Sequence, residues 1–250
     1  MLRLNGITKT FGGLTALEDV SLSINPGSIT GIIGPNGAGK TTLFNIITGL
    51  YTQTAGEVYL GEKNISFYTA ENLAGLGLVR TFQNVELFGQ MTVWENVMVG
   101  LHSLSHCGIL SCAFKLPRQI KEEKNIREKA KKWLEFTGMK DLADIASSSL
   151  PFGKGRLLEI SRALAVEPRI ILMDEPAAGL NSSETVELAA LIRKIRDLGI
   201  TIVLVEHDME LVMDICDEVI VLNLGKKLAE GTPREIQENP AVIAAYLGDG

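Results

Sequence analysis

At 250 residues, with 46% hydrophobic and 22% charged positions, the chain is long enough to bury a sizeable core and has an ordinary globular composition. A net charge of −6 and a pI near 5.2 argue against broad electrostatic capture of nucleic acid. No apolar run approaches the ~20 residues that span a bilayer, and three cysteines, an odd number, speak against a disulfide framework and fit a reducing cytoplasm.

The opening MLRLNGITKTFGG lacks the apolar centre of a signal peptide. Leu2, Leu4 and Ile7, then Val20, Leu22 and Ile24 alternating with Ser21, Ser23 and Asn25, predict short strands in a half-buried antiparallel sheet. Pro26-Gly27 turns the chain into Ile29–Ile33, a strand entering a glycine loop. That loop, Gly34 to Thr41, reads GPNGAGKT and fits the phosphate-cradling pattern G-x-x-x-x-G-K-[ST]. Gly34, Gly37 and Gly39 let the backbone wrap closely, so that successive N–H groups and the following helix N-terminus face an anion. Lys40 is expected to contact the β- and γ-phosphates, and the Thr41 oxygen to hold Mg²⁺. The helix begins at Thr41, runs to Thr48 and closes at Gly49. A glycine-rich turn without a ligand is the competing reading.

Val58–Leu60 and Leu78–Val79 look like further strands. From about 88 to 165 the character becomes helical. Met91, Val93, Trp94, Val97, Met98 and Leu101 fall near helical spacing, with Thr92 as N-cap and Glu95 at the capping-box position. Lys121 to Phe136 predicts another helix, with Ile126, Ala130, Trp133 and Leu134 on its apolar side. His102, His106, Cys107 and Cys112 do not have a standard zinc spacing. Cys216 reads as a buried thiol.

After Pro168 the pattern is that of a parallel sheet. Ile170–Met173 predicts a buried strand, Glu184–Arg196 a helix, Ile200–Val205 a second strand, and Val219–Leu222 with Lys227–Ala229 a hairpin about Leu224-Gly225. Thr232-Pro233 and Asn239-Pro240 each supply an N-cap followed by proline, giving two short terminal helices. The first strand delivers Asp174-Glu175. Asp174 is expected to bind the metal, directly or through water, and Glu175 to accept a proton from attacking water. An acidic pair at a strand end also caps helices or pairs with lysines; beside a phosphate loop, the catalytic reading gains weight. No N-K-x-D guanine-reading segment is present, which favours ATP over GTP.

The order GPNGAGKTT, Gln83 in RTFQN, LPFGKGR at 150–156, ILMDEP at 171–176 and His207 in VEHDM closely resembles the ATPase subunits of ABC transporters. Within that family, RTFQNVELFGQMTVWENVMVG, AAGLN, VEHDM and the terminal AAYLG look like subunits of branched-chain amino-acid importers. The resemblance covers essentially the whole chain. It implies a P-loop NTPase (RecA-like) α/β core with an antiparallel β subdomain and an inserted α-helical subdomain, in one ABC-type domain over 1–250 with the insertion at about 88–165.

By resemblance, Phe11 stacks on adenine, and Gly34, Pro35, Asn36, Gly37, Ala38, Gly39, Lys40, Thr41 and Thr42 cradle the phosphates. Gln83 approaches Mg²⁺ and water with Thr41 and Asp174, while His207 contacts the γ-phosphate as Glu175 and Lys40 serve the chemistry. Gly153, Lys154 and the start of the following helix, Gly155 to Ala165, present the family signature to the nucleotide of a second subunit. Without the family, Phe11 would read as core, Gln83 as loop and His207 as structural. Two positions depart from the pattern. The signature is usually written LSGGQ, but here Pro151 replaces its serine, and Asn181 stands where many relatives carry Asp. Both suggest a weaker homodimeric site, and a heterodimer is favoured. The expected assembly adds integral membrane permeases and, indirectly, an external substrate-binding protein, at the cytoplasmic face of the inner membrane. No nucleic-acid partner is expected. Lipid or lipopolysaccharide export, and a non-transport ABC switch, are the alternatives.

Overall fold

The computed structural model describes residues 1–83, 86–102 and 117–247. The chain divides into two compact units, Met1–Gln83 with Arg169–Gly250, and Asn84–Pro168.

The first unit contains two sheets. Strands β1 (Leu2–Phe11), β2 (Leu14–Ile24), β4 (Ala55–Leu60) and β5 (Lys63–Asn64) form an antiparallel sheet in the order β2-β1-β4-β5. The second sheet has the order β10-β9-β3-β8-β7-β6, from β3 (Ile29–Ile33), β6 (Leu78–Thr81), β7 (Ile170–Asp174), β8 (Thr201–Val205), β9 (Glu218–Asn223) and β10 (Lys226–Gly231). Its strands are parallel except at the β10 edge. Every residue of β3, β7 and β8 is buried. Strands covered on both faces need no polar alternation, which is why these segments are continuous apolar runs.

Helix α1 (Lys40–Ile47) follows β3. Its Phe44 and Ile47 share one core with Leu4, Ile7 and Leu22 of the antiparallel sheet and with Leu172, Val203 and Ile220 of the parallel one. Burial of that apolar surface, at roughly 25 cal/mol per Å², welds the two sheets around α1. The order of β3, β8, β7 and β6 has a consequence for function. Their carboxyl ends lie along one margin of the sheet, and each leads into a segment that carries polar residues. Crevices at such margins are where open α/β sheets bind ligands.

The second unit is helical. Among the described residues it contains α3 (Val93–His102), α4 (Pro117–Phe136) and α5 (Phe152–Ala165), whose Val97, Ala130, Trp133, Leu134, Leu158 and Leu164 are buried. Thr92 and Glu95 form the expected reciprocal cap, at 3.2 Å and 2.8 Å. Helix α6 (Ser182–Asp197) and the short helices α2 (Ala70–Gly75), α7 (Met209–Ile215), α8 (Pro233–Gln237) and α9 (Pro240–Leu247) complete the first unit. No helix among the described residues is long and apolar enough to cross a membrane.

Four sequence readings need correction. The first two strands are ten and eleven residues long rather than short, because register shifts between Leu4 and Thr10 interrupt the alternation without ending the pairing. The helix expected from Gly155 starts at Phe152, with Pro151 at its N-cap; Gly153 and Gly155 hid its first turn by weak propensity. The first nucleotide-loop helix begins at Lys40 rather than Thr41. Helices α2 and α7 were not anticipated; each is short and announced mainly by its cap, Thr69 or Asp208. His106, Cys107 and Cys112 lie outside the described residues, as does the His102 side chain.

Cys216 is buried, and burial pushes its thiol up to about 12. A thiol so rarely ionised is a poor nucleophile. Iodoacetamide at mildly alkaline pH is therefore expected to leave Cys216 unmodified in the native chain, by peptide mapping, and to label it once denaturant is added.

Candidate nucleotide site

Three glycines shape the loop after β3. Gly34 has φ 151°, and a Cβ there would come 2.1 Å from the Leu222 carbonyl oxygen, so no other residue fits without displacing β9. Gly39 has φ 99° as the N-cap of α1, and a Cβ would come 2.8 Å from the Ala16 carbonyl oxygen. No side chain caps α1 and no acidic residue lies in its first turn. Its leading amides, including those of Thr41 and Thr42, therefore remain available to an anion. The Ala38 amide donates to the Pro35 carbonyl at 3.2 Å, while Asn36 and Gly37 are exposed at the rim.

The Lys40 ammonium folds back across this loop. It donates to the Gly34 carbonyl at 2.6 Å and to the Pro35 carbonyl at 3.0 Å. Burial lowers its pKa, and the nearby Glu175 charge opposes that shift. At the C-terminal end of the chain, burial pushes the Tyr246 phenol up while the Gly34 amide, donating to it, pulls it back. That approach to the loop gave no sequence signal.

At the end of β7, Asp174 Oδ2 pairs with Arg80 Nη2 at 2.5 Å, both side chains being under a tenth exposed. Arg80 also donates through Nη1 to Asn45 Oδ1 at 2.6 Å and Thr48 Oγ1 at 3.3 Å. Arg80 was not singled out in the sequence, although a charged residue closing an apolar strand was the available signal.

Glu175 follows with φ 45°. Its Oε2 accepts from Gln83 Nε2 at 2.7 Å, and its Oε1 lies 3.2 Å from His207 Nε2. Gln83 and His207, from distant parts of the chain, thus meet at the Glu175 carboxylate, whose charge is close enough to Lys40 to oppose the lowering of its pKa by burial. The next strand end contributes Glu206, whose buried carboxylate accepts backbone amides of Ala177, His207 and Asp208.

Phe11 is not bonded into this cluster. Its half-exposed ring stands edge-on to Tyr51, 5.4 Å between centroids, with Lys9 Nζ 4.8 Å from its centre. Gly153 and Lys154 occupy the first turn of α5 in the other unit. Asn181 caps α6 in a reciprocal box with Glu184, a task that its aspartate counterpart would perform equally well.

The donor set suits Mg²⁺. Thr41 offers a hydroxyl at the loop, and Asp174 has one oxygen committed to Arg80 and a second as a donor. Gln83 adds an amide oxygen, so the available ligands are the hard oxygens that Mg²⁺ prefers. No group of three or more His, Cys, Asp or Glu side chains arranged to hold a metal ion is present among the described residues.

The pattern of the ABC transporter family matches residues 17–178, and that of the branched-chain amino acid ATP-binding cassette transporter matches residues 226–250. The chain is 44% identical over 250 residues to the high-affinity branched-chain amino acid transport ATP-binding protein BraF of Pseudomonas aeruginosa, covering 100% of this chain and 98% of that protein. Its similarity to LivG of Escherichia coli, of the same description, is also 44%, with the same coverage. Among solved structures, the ADP conformation of an ATP-binding cassette from an ABC transporter superposes with a TM-score of 0.87 at 36% identity, covering 99% of this chain and 98% of that one. A dimeric cassette in a post-hydrolysis state with ADP and Pi gives 0.78 at 28% identity, covering 94% and 99%.

Removing Arg80 would leave the Asp174 carboxylate buried without its partner. Breaking one side of a buried ion pair typically costs ~3–5 kcal/mol. Arg80→Met is therefore expected to lose about 3 kcal/mol or more in denaturant unfolding, and a loss below about 1 kcal/mol would contradict this account.

Proposed function

The chain belongs to the ABC transporter family, and from that membership we propose that it is the ATP-hydrolysing motor subunit of an importer for branched-chain amino acids. The observation that carries the motor is the meeting of Gln83, Glu175 and His207 beside the Lys40 loop. The importer assignment is supported by the family match over residues 226–250 and by the named activities of the full-length relatives.

In this reading the β- and γ-phosphates of ATP enter the Gly34–Thr42 loop and take over the Lys40 ammonium from the Gly34 and Pro35 carbonyls. The amides at the head of α1 add further donors. Thr41, Asp174 and Gln83 would hold Mg²⁺, which when bound neutralises charge on the phosphate oxygens. Glu175 accepts a proton from water as the water oxygen bonds to the γ-phosphorus. The bond to the β,γ-bridging oxygen breaks, its electron pair leaves with ADP, and inorganic phosphate is formed. His207 orients the Glu175 carboxylate through Oε1 and reaches toward the γ-phosphate, while Gln83 secures Oε2. Phe11 offers its exposed ring to adenine.

Two cassettes would sandwich ATP, each loop facing the other's Gly153–Lys154 segment, and hydrolysis would release them. We place the chain against permease subunits at the cytoplasmic face of the inner membrane, with an external binding protein delivering cargo. Pro151 offers neither hydroxyl nor amide at the shared face, which favours a heterodimer with a differently equipped partner.

Glu175→Gln is expected to retain ATP binding and lose turnover by ~10²-fold or more, the usual worth of a general base. Near-normal hydrolysis would remove Glu175 from the mechanism. Lys40→Ala is expected to abolish binding of a fluorescent ATP analogue, and unchanged affinity would contradict the phosphate assignment. Vesicles with the chain and ATP inside, its co-purified membrane partners in the wall and the external binding protein outside should accumulate labelled leucine, isoleucine or valine. Accumulation of none of the three would overturn the cargo.

A further inference from the structure

Glu206 is buried immediately after β8, yet nothing in the proposed mechanism uses it. Its Oε1 accepts the Ala177 amide at 2.7 Å. Its Oε2 accepts the His207 amide at 2.9 Å and the Asp208 amide at 3.3 Å. One carboxylate therefore ties the segment leaving β7 to the segment leaving β8. Burial pushes this carboxyl up, and the three amides pull it back toward the charged form. So many donors on a buried acid are the arrangement that compensates its desolvation.

The backbone next to it explains what the tie accomplishes. Glu175 stands at φ 45°, in the left-handed region that a non-glycine residue enters only at a cost. Such a conformation persists only where its surroundings over-determine it. Two bonds to consecutive positions, Val205 and Glu206, do so: the Glu175 amide donates to the Val205 carbonyl at 2.9 Å, and the Ala177 amide to the Glu206 carboxylate at 2.7 Å. On its other side the same carboxylate holds the His207 amide, and the His207 ring lies 3.2 Å from Glu175. One buried side chain thus holds the His207 amide directly and, two residues beyond Glu175, the Ala177 amide.

We propose that Glu206 is a positioning residue for hydrolysis, which fixes the left-handed backbone at Glu175 and sets the Glu175–His207 contact by gripping Ala177 and His207 together. The proposal rests on the reading of Glu175 as base. Glu206 bonds to no residue of the Gly34–Thr42 loop, so ATP binding is spared while the reacting geometry depends on it. Glutamine in its place has one acceptor oxygen for three amides and turns an NH₂ toward at least one donor. Aspartate keeps the charge but is shorter by one methylene.

The test is steady-state ATP hydrolysis by full-length Glu206→Gln and Glu206→Asp, with Glu175→Gln in parallel. Each rate is normalised to the sites that bind a fluorescent ATP analogue. The kcat per site of Glu206→Gln is expected to fall ~10-fold or more, with ATP KM changed less than ~3-fold, since displacements of about 1 Å cost up to ~10²-fold. A merely structural role would reduce the number of binding sites and leave kcat per site intact. Unchanged kcat per site, or a KM that rises in step with the loss, would overturn the proposal. Should Glu206→Gln yield no binding-competent protein, Glu206→Asp is judged by the same criterion. Near-normal turnover by Glu175→Gln would overturn the base assignment and this role with it. Strong loss in Glu175→Gln with none in Glu206→Gln would overturn this role alone.

Discussion

The parallel register of β3, β8 and β7 is the constraint on which the site depends. Ile32 and Asp174 both align with Val205, so the strand entering the phosphate loop and the strand delivering the carboxylates end level with each other. Thr81 of β6 aligns with Met173 and brings the Gln83 segment to the same margin. A slip of one residue along any of these ladders would shift a carboxylate by about 3.3 Å, beyond hydrogen-bond reach of its partners. The fully buried apolar runs prevent such slips, because each alternative register would mismatch side chains packed on both faces.

Charge placement follows from that framework. Arg80, Asp174, Glu175 and Glu206 lie at strand ends or just beyond them, and Lys40 opens α1 after the loop that leaves β3. Each buried member has a designated partner. Arg80 holds Asp174, and backbone amides hold Glu206. Glu175 is the more exposed carboxylate, with two side-chain contacts, to Gln83 and His207. The site therefore combines two buried carboxylates with one that is partly open to solvent.

Much of this was legible in the chain. GPNGAGKT dictates its own loop because Gly34 has no room for a Cβ, and ILMD announces β7 because a strand buried on both faces must be apolar throughout. The caps at Thr92, Thr232 and Asn239 were readable because their chemistry is local. What escaped notice was relational. Arg80 and Glu206 look like ordinary charged residues until the sheet brings Asp174 to one and Ala177 to the other. The interruptions in β1 were hidden for a different reason: a bulge changes which face a residue occupies without changing the residue. Similarly, two glycines made the start of α5 look like loop, although tertiary packing overrides their weak propensity.

The posture of Lys40 has a consequence for how a nucleotide is received. Its ammonium rests on two carbonyls of its own loop, a cation that braces the backbone from within. An incoming polyphosphate exchanges one set of acceptors for another, and little chain entropy is lost in shaping the cradle. In the proposed reading the seat is shaped by the protein's own contacts, and a phosphate must outbid only two peptide oxygens to take it.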